Sequence, residues 1–132
     1  MKKNSQKKPL DSAYVCGHGD PLAVRELLTR IGDKWSIFVV LTLARVHDNR
    51  ARFSGLDKTV PGISQRMLTL TLRNLERDGL VSREVFPEIP PRVEYELTTL
   101  GKSLLQPLDG LVDWVTDNWQ DVKKAQAGFD SR

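Results

Sequence analysis

The chain has 132 residues, of which 39% are hydrophobic, and a formal net charge of +3 at pH 7. This length fits one domain with a single core, and no segment approaches the roughly 20 apolar residues that a membrane span needs. Because Cys16 is the only cysteine, no disulfide can form within the chain. The sequence therefore predicts a cytoplasmic protein that is neither secreted nor membrane-spanning.

Three segments divide the chain. Residues 1–12 carry four lysines without apolar periodicity, which predicts a disordered basic arm. Residues 13–122 contain all the periodic apolar patterns and are predicted to form the folded domain. From residue 125 onward the residues are small, polar and mixed in charge, and residues 123–132 are predicted to form a flexible tail.

Two helices are predicted first. Asp20 followed by Pro21 is a typical helix start, and leucines then recur at helical spacing until Gly32. From Trp35 to Ala44 the residues are apolar nearly all round, which predicts a central buried helix.

A short helix, a tight turn and a longer helix follow. Ser54 is predicted to cap the short helix, and Pro61 with Gly62 marks the turn. Ser64 then caps a helix that runs to about Asp78, where Gly79 can adopt the left-handed conformation that ends a helix.

The longer helix has two different faces. Leu68, Leu72 and Leu75 recur on one side, with Met67 beside them. The other side carries Gln65, Arg66, Thr69, Arg73 and Arg77. One side is therefore predicted to pack and the other to face a partner or solvent.

The remaining elements are a hairpin and a last helix. Residues 80–86 and 92–97 alternate in polarity on either side of a proline-rich connector, which predicts two strands. Thr98 or Thr99 can cap a final helix that Pro107 can kink. Its apolar stripe extends to Trp119, which is more than one small core can cover.

This order of elements predicts a mainly α fold with a small β-ribbon (α+β), namely a winged helix-turn-helix. In this fold the helix after the tight turn, here the one that Ser64 caps, enters a DNA major groove. The side chains predicted to reach base edges are Gln65, Arg66, Thr69 and Arg73. Two further residues have alternative roles. Ser64 can bind a phosphate or only cap its helix. Arg92 can reach a phosphate or the minor groove, or it can pair with Glu88 or Glu94.

Several sequence blocks carry a family resemblance. They are Cys16, 31–35 (IGDKW), 52–54 (RFS), 61–68 (PGISQRML), 75–81 (LERDGLV) and 90–95 (PPRVEY). In this order they resemble the HxlR family of bacterial winged-helix regulators, over about residues 16–115. Asp33 and Gly55 depart from it, since the family usually has a glycine and a glutamate there.

The resemblance implies a homodimer, built from the first and last helices, that places two recognition helices on a palindromic operator. The predicted dimer contact contains Leu104, Leu108, Leu111, Trp114 and Val115. The resemblance also implies that Cys16 can sense oxidants or reactive electrophiles. Alternatively, Cys16 is a small buried residue without that role.

Other functional classes find less support in the sequence. No phosphate-binding glycine loop, Ser-His-Asp set or paired carboxylates point to an enzyme, and no cofactor is expected. Cys16, His18 and Asp20 fall short of a metal-binding pattern. The remaining alternative is a winged-helix module that binds proteins instead of DNA.

Overall fold

The computed structural model describes residues 19–132. The helices are α1 (Pro21–Ile31), α2 (Lys34–Arg45), α3 (Phe53–Thr59), α4 (Gln65–Arg77), α5 (Thr99–Ser103) and α6 (Leu105–Asp130). The strands are β1 (Arg50–Arg52), β2 (Val81–Phe86) and β3 (Arg92–Leu97). The strands form one antiparallel sheet in the order β1-β3-β2. The predicted mainly α fold with a small β-ribbon is confirmed.

Three predicted helix caps are present. The side chain of Asp20 accepts a hydrogen bond from the backbone N–H of Leu22 at 3.0 Å. Ser64 and Thr98 accept equivalent bonds three residues ahead, each at 3.0 Å. Each cap accepts from a backbone N–H that has no partner inside its helix. The capping residues therefore determine where α1, α4 and α5 begin.

The core is centred on α2, which packs against α1, α3, α4, α6 and the sheet. Its buried Val39, Val40 and Leu43 belong to one apolar cluster with the buried leucines of α4. Leu97 at the base of the β2–β3 hairpin belongs to the same cluster. Both α4 and the hairpin are therefore held on one scaffold.

The hairpin is the predicted wing, and it has a third strand that the sequence did not predict. β2 and β3 pair from Val81 opposite Leu97 to Phe86 opposite Arg92. β1 adds to the other side of β3. Its three residues, Arg-Ala-Arg, are too few for alternation in polarity to predict a strand, and the strand is defined by its long-range pairing with β3.

Three boundaries differ from the prediction. α3 begins at Phe53, so Ser54 lies inside the helix and does not cap it. The last helix is two helices separated at Leu104, where the sequence predicted one helix that Pro107 can kink; Ser103, which ends the first, is the residue whose carbonyl Pro107 cannot bond. Pro107 lies in the first turn of α6, where a missing N–H costs no hydrogen bond.

The third difference concerns the C-terminal end. α6 continues to Asp130, whereas the sequence predicted that the domain ends at 122 and that a flexible tail follows. Residues 123–127 are lysine, alanine and glutamine, which favour helix even where nothing packs against them.

Two observations on function belong with the fold. Within residues 19–132, no helix is long and apolar enough to cross a membrane. The same part of the chain has no cluster of three or more potential metal ligands. Cys16 and His18 lie outside the described residues.

Candidate nucleic-acid interface

α4 is joined to α3 by a tight turn. Gly62 lies in the turn with a φ of 77°, a conformation that favours glycine over residues with a Cβ. The side-chain amide of Gln65 donates to the carboxylate of Asp57 on α3 at 3.3 Å. At the other end of α4, Gly79 has a φ of 78°, as predicted for a residue that ends the helix.

The predicted division of α4 into two faces is confirmed. Leu68, Thr71, Leu72 and Leu75 are buried. The opposite residues Gln65, Arg66, Thr69, Arg73 and Arg77 are all exposed. Within residues 19–132, none of the three arginines forms an ion pair. Their guanidinium groups therefore have donors available for an external acceptor.

Two polar side chains in the first half of α4 and at its cap each make one hydrogen bond within the protein and can make another. The hydroxyl of Thr69 donates to the carbonyl of Gln65 at 2.9 Å, which leaves its oxygen free to accept. The oxygen of Ser64 accepts its capping bond, and its hydroxyl hydrogen remains available. The capping role of Ser64 is confirmed, while a contact with phosphate stays a prediction.

Arg92 forms ion pairs within the wing. Its Nη1 lies 2.9 Å from Oε2 of Glu88, and its Nε lies 3.0 Å from Oε2 of Glu94. Its guanidinium carbon lies 3.9 Å from the ring centroid of Phe86. The structure therefore shows the ion-paired alternative for Arg92, and a contact of this residue with DNA stays a prediction.

A second arginine ties the three strands together. Arg50 on β1 contacts Glu84 on β2 at 2.6 Å, and Glu94 and Glu96 on β3 at 2.6 and 2.8 Å. The hydrogen bond from Arg50 lowers the pKa of Glu94, and these carboxylates raise the pKa of Arg50. The ion pair between Arg50 and Glu94 therefore persists as the pH falls into the ordinary range of glutamate.

The order of elements, the exposed polar face of α4 and the wing make up a winged helix-turn-helix. The family model described as HxlR-like helix-turn-helix matches residues 30–123. The chain belongs to the HxlR family.

Relatives of this HxlR protein agree with that assignment. An uncharacterized HTH-type transcriptional regulator of Methanothermobacter thermautotrophicus is 47% identical over 104 residues, which cover 79% of this chain and 72% of the relative. The redox regulator HypR in its reduced form is 37% identical, with a TM-score of 0.69 over 77% of this chain and 98% of HypR. The reduced form of the regulator YodB from Bacillus subtilis is 32% identical, with a TM-score of 0.60 over 69% of this chain and 86% of YodB.

The structure places Arg52 beside the wing, although the sequence analysis did not select it as a DNA contact. Arg52 is exposed and lines a groove of about 400 Å³ between the start of α3 and the tip of the wing. Ile89 at that tip is fully exposed. Arg52 belongs to an HxlR block, but only the pairing of β1 with β3 brings it to the wing.

The five residues predicted for the dimer contact separate into two groups. Leu108 is only 5% exposed and belongs to the core of the HxlR protomer, and Leu104 is half-buried against that core. Leu108 is therefore removed from the predicted contact, because it faces inward. Leu111, Trp114 and Val115 lie on the outside, with Leu111 51% exposed.

Apolar side chains are also exposed on α1 and α2. α1 buries none of its residues, and its Leu22, Leu27 and Leu28 are exposed. Phe38 of α2 lines an apolar groove of about 300 Å³ together with Leu111 and Val115 of α6. Single exposed leucines are common in soluble proteins, but an apolar groove shared by two helices is typical of an interaction surface.

Proposed function

We propose that this protein regulates transcription by binding double-stranded DNA as a homodimer on a palindromic operator. The observation that carries the proposal is the face of α4, which presents Arg66, Arg73 and Arg77 without ion pairs within residues 19–132. A helix of this kind fits the major groove, where arginine and glutamine recognise base edges. Membership of the HxlR family supports the DNA-binding role.

The homodimer is supported by the apolar surface of α1, α2 and α6. A two-fold contact through Leu111, Trp114 and Val115 removes this surface from water. In such a dimer the two α4 helices enter successive major grooves about 34 Å apart. The operator is then palindromic because the protein itself has two-fold symmetry.

Titration of fluorescent duplexes tests the DNA-binding role. We expect the purified protein to bind a pool of random duplexes, and to bind selected genomic fragments more tightly. If it contacts six or more phosphates, its affinity falls by about a thousandfold between about 50 and 200 mM salt. The alternative, a protein-interaction module without DNA binding, predicts no duplex affinity even at the lower salt concentration.

We also propose that Cys16 makes DNA binding sensitive to oxidants or reactive electrophiles. HypR is named a redox regulator and YodB has been solved in a reduced form, which supports this kind of control. One cysteine per subunit allows a disulfide between subunits, a mixed disulfide or an adduct. Diamide accepts two electrons and two protons as two thiols join in a disulfide.

Diamide treatment of the native protein and of the Cys16→Ser variant tests this proposal. We expect diamide to change operator affinity of the native protein by at least about tenfold, a coupling of ordinary size for an allosteric effector. The variant should keep the affinity of the reduced protein. Equal responses of the two proteins to diamide would remove Cys16 from the mechanism.

A further inference from the structure

An ion pair joins the first helix to the end of α4. Arg30 lies in the last turn of α1, and Asp78 is the residue at which α4 ends. Nη1 of Arg30 donates to Oδ2 of Asp78 at 2.6 Å, although the two residues are 48 positions apart in the chain. The pair therefore connects a helix of the proposed dimer contact directly to the proposed DNA-reading helix.

This ion pair is more enclosed than the other ion pair between helices in the described part of the chain. The side chains of Arg30 and Asp78 are 22% and 17% exposed, whereas those of Arg45 on α2 and Asp109 on α6 are 53% and 45% exposed. Fully exposed ion pairs contribute little, because water and salt screen their charges. A pair that is largely shielded from water keeps more of its attraction, and separation would leave each charge poorly solvated. The pair therefore resists movement of α1 away from the end of α4.

The position of Asp78 makes its carboxylate dependent on Arg30. The C-terminal end of a helix carries a partial negative charge from its unpaired carbonyl groups, so a carboxylate there is repelled. The guanidinium of Arg30 brings a positive charge to this end of α4 and offsets the repulsion. Because Arg77 on the exposed face of α4 directly precedes Asp78, the pair holds the end of α4 that carries this arginine.

α1 has few other ties to the protomer. It buries none of its residues and packs mainly against α2. Arg25 and Glu26 form no ion pair within residues 19–132, so the contact with Asp78 is the one ion pair of α1 in that part of the chain. α4, in contrast, is fixed in the core by its buried leucines. The pair therefore determines where α1 lies relative to α4.

We propose that Arg30 and Asp78 are positioning residues, which hold α1 against the end of α4 and thereby set the half-site spacing that the dimer binds. In a two-fold dimer that includes α1, a shift of α1 relative to α4 changes the separation of the two α4 helices. Successive major grooves on one side of the duplex require a separation of about 34 Å. This role rests on the proposed function, because it requires a dimer on DNA.

Three fluorescent duplexes test the proposal, and all derive from a genomic fragment that the native protein selects. The first carries both half-sites, the second has one half-site scrambled, and the third has one base pair inserted between the half-sites. The measured quantity is the preference for the first duplex over each of the others. We expect Arg30→Gln and Asp78→Asn each to lower this preference at least about tenfold, an ordinary size for coupling between two sites.

The two substitutions change the charge in opposite directions, which separates positioning from general attraction to DNA. Asp78→Asn removes a negative charge, and this alone would strengthen binding to every duplex. A lower preference in both variants therefore has a cause other than net charge. Glu76→Gln is the matched control, because it removes the same charge from an exposed position of α4 that has no ion pair within residues 19–132. It should keep the native preference.

Two further variants test the pairing itself. Arg30→Lys keeps the positive charge and should keep most of the native preference. The double variant of Arg30→Gln and Asp78→Asn should lose no more preference than either single variant, because both remove the same interaction. Circular dichroism and sedimentation equilibrium check that each variant is folded and dimeric.

The positioning role is refuted if either neutral variant keeps the native preference, or if affinity for all three duplexes falls equally, as a loss of stability alone would cause. It is also refuted if the losses of the two single variants add in the double variant, or if Arg30→Lys loses as much as Arg30→Gln. Each of these results leaves duplex binding by the native protein intact. If the native protein binds no duplex, the proposed function fails and the positioning role fails with it.

Discussion

Replacing Leu111 with glutamate is expected to give a monomer that binds operator DNA at least about a hundredfold more weakly than the native protein. Leu111 is 51% exposed in the middle of the apolar surface that α2 and α6 share. Two-fold symmetry places two new carboxylates in one contact, where they lose water and repel each other. A monomer binds one half-site only. It therefore loses the additional affinity that a dimer gains by binding both half-sites at once.

Sedimentation equilibrium measures the mass of the assembly, and fluorescence anisotropy with an operator duplex measures affinity. Gln120→Glu is the matched control, because it adds the same charge on the opposite side of α6 at an exposed position. This control should remain dimeric and bind DNA like the native protein. The proposed interface is wrong if Leu111→Glu stays dimeric at micromolar concentration.

The sequence predicted well those features that depend on neighbours in the chain. Asp20, Ser64 and Thr98 each cap a helix within three residues of themselves, so the residue types are sufficient evidence. The same holds for the two faces of α4, because the spacing of Leu68, Leu72 and Leu75 follows directly from helical geometry.

Features that depend on distant pairing were missed or assigned to the wrong surface. β1 exists only because Arg50–Arg52 pairs with β3, more than forty positions later in the chain. Leu108 and Leu111 are three residues apart on one apolar stripe, yet Leu108 is buried in the core and Leu111 is exposed. Periodicity marks an apolar stripe but does not show which part of it the protomer covers.

The role of Arg92 at the candidate site also depends on contacts that the sequence alone does not decide. The sequence permitted either a DNA contact or pairing with Glu88 or Glu94, and both carboxylates are bound in the structure. The stacking on Phe86 depends on the strand register, which sets Phe86 opposite Arg92. The arginines of α4 form no such pairs within residues 19–132, so they are the stronger candidates for DNA recognition.

Replacing Arg73 with alanine is therefore expected to weaken operator binding by about thirtyfold or more. Arg73 is exposed on the face of α4 opposite the buried leucines, and it has no ion pair within residues 19–132. An arginine that bonds a guanine edge through two donors contributes about 1–3 kcal/mol. A dimer loses two such contacts, which amounts to about 2 kcal/mol or more.

Arg73→Lys distinguishes base recognition from phosphate binding, because lysine keeps the charge but cannot make the two-donor contact. If Arg73 reads a base, Arg73→Lys binds the operator much more weakly than the native protein and discriminates less between operator and random duplex. A phosphate contact would instead leave that discrimination intact, and Arg73→Ala would lower the salt slope by about one per subunit. Native operator affinity in Arg73→Ala would show that this residue does not contact the DNA.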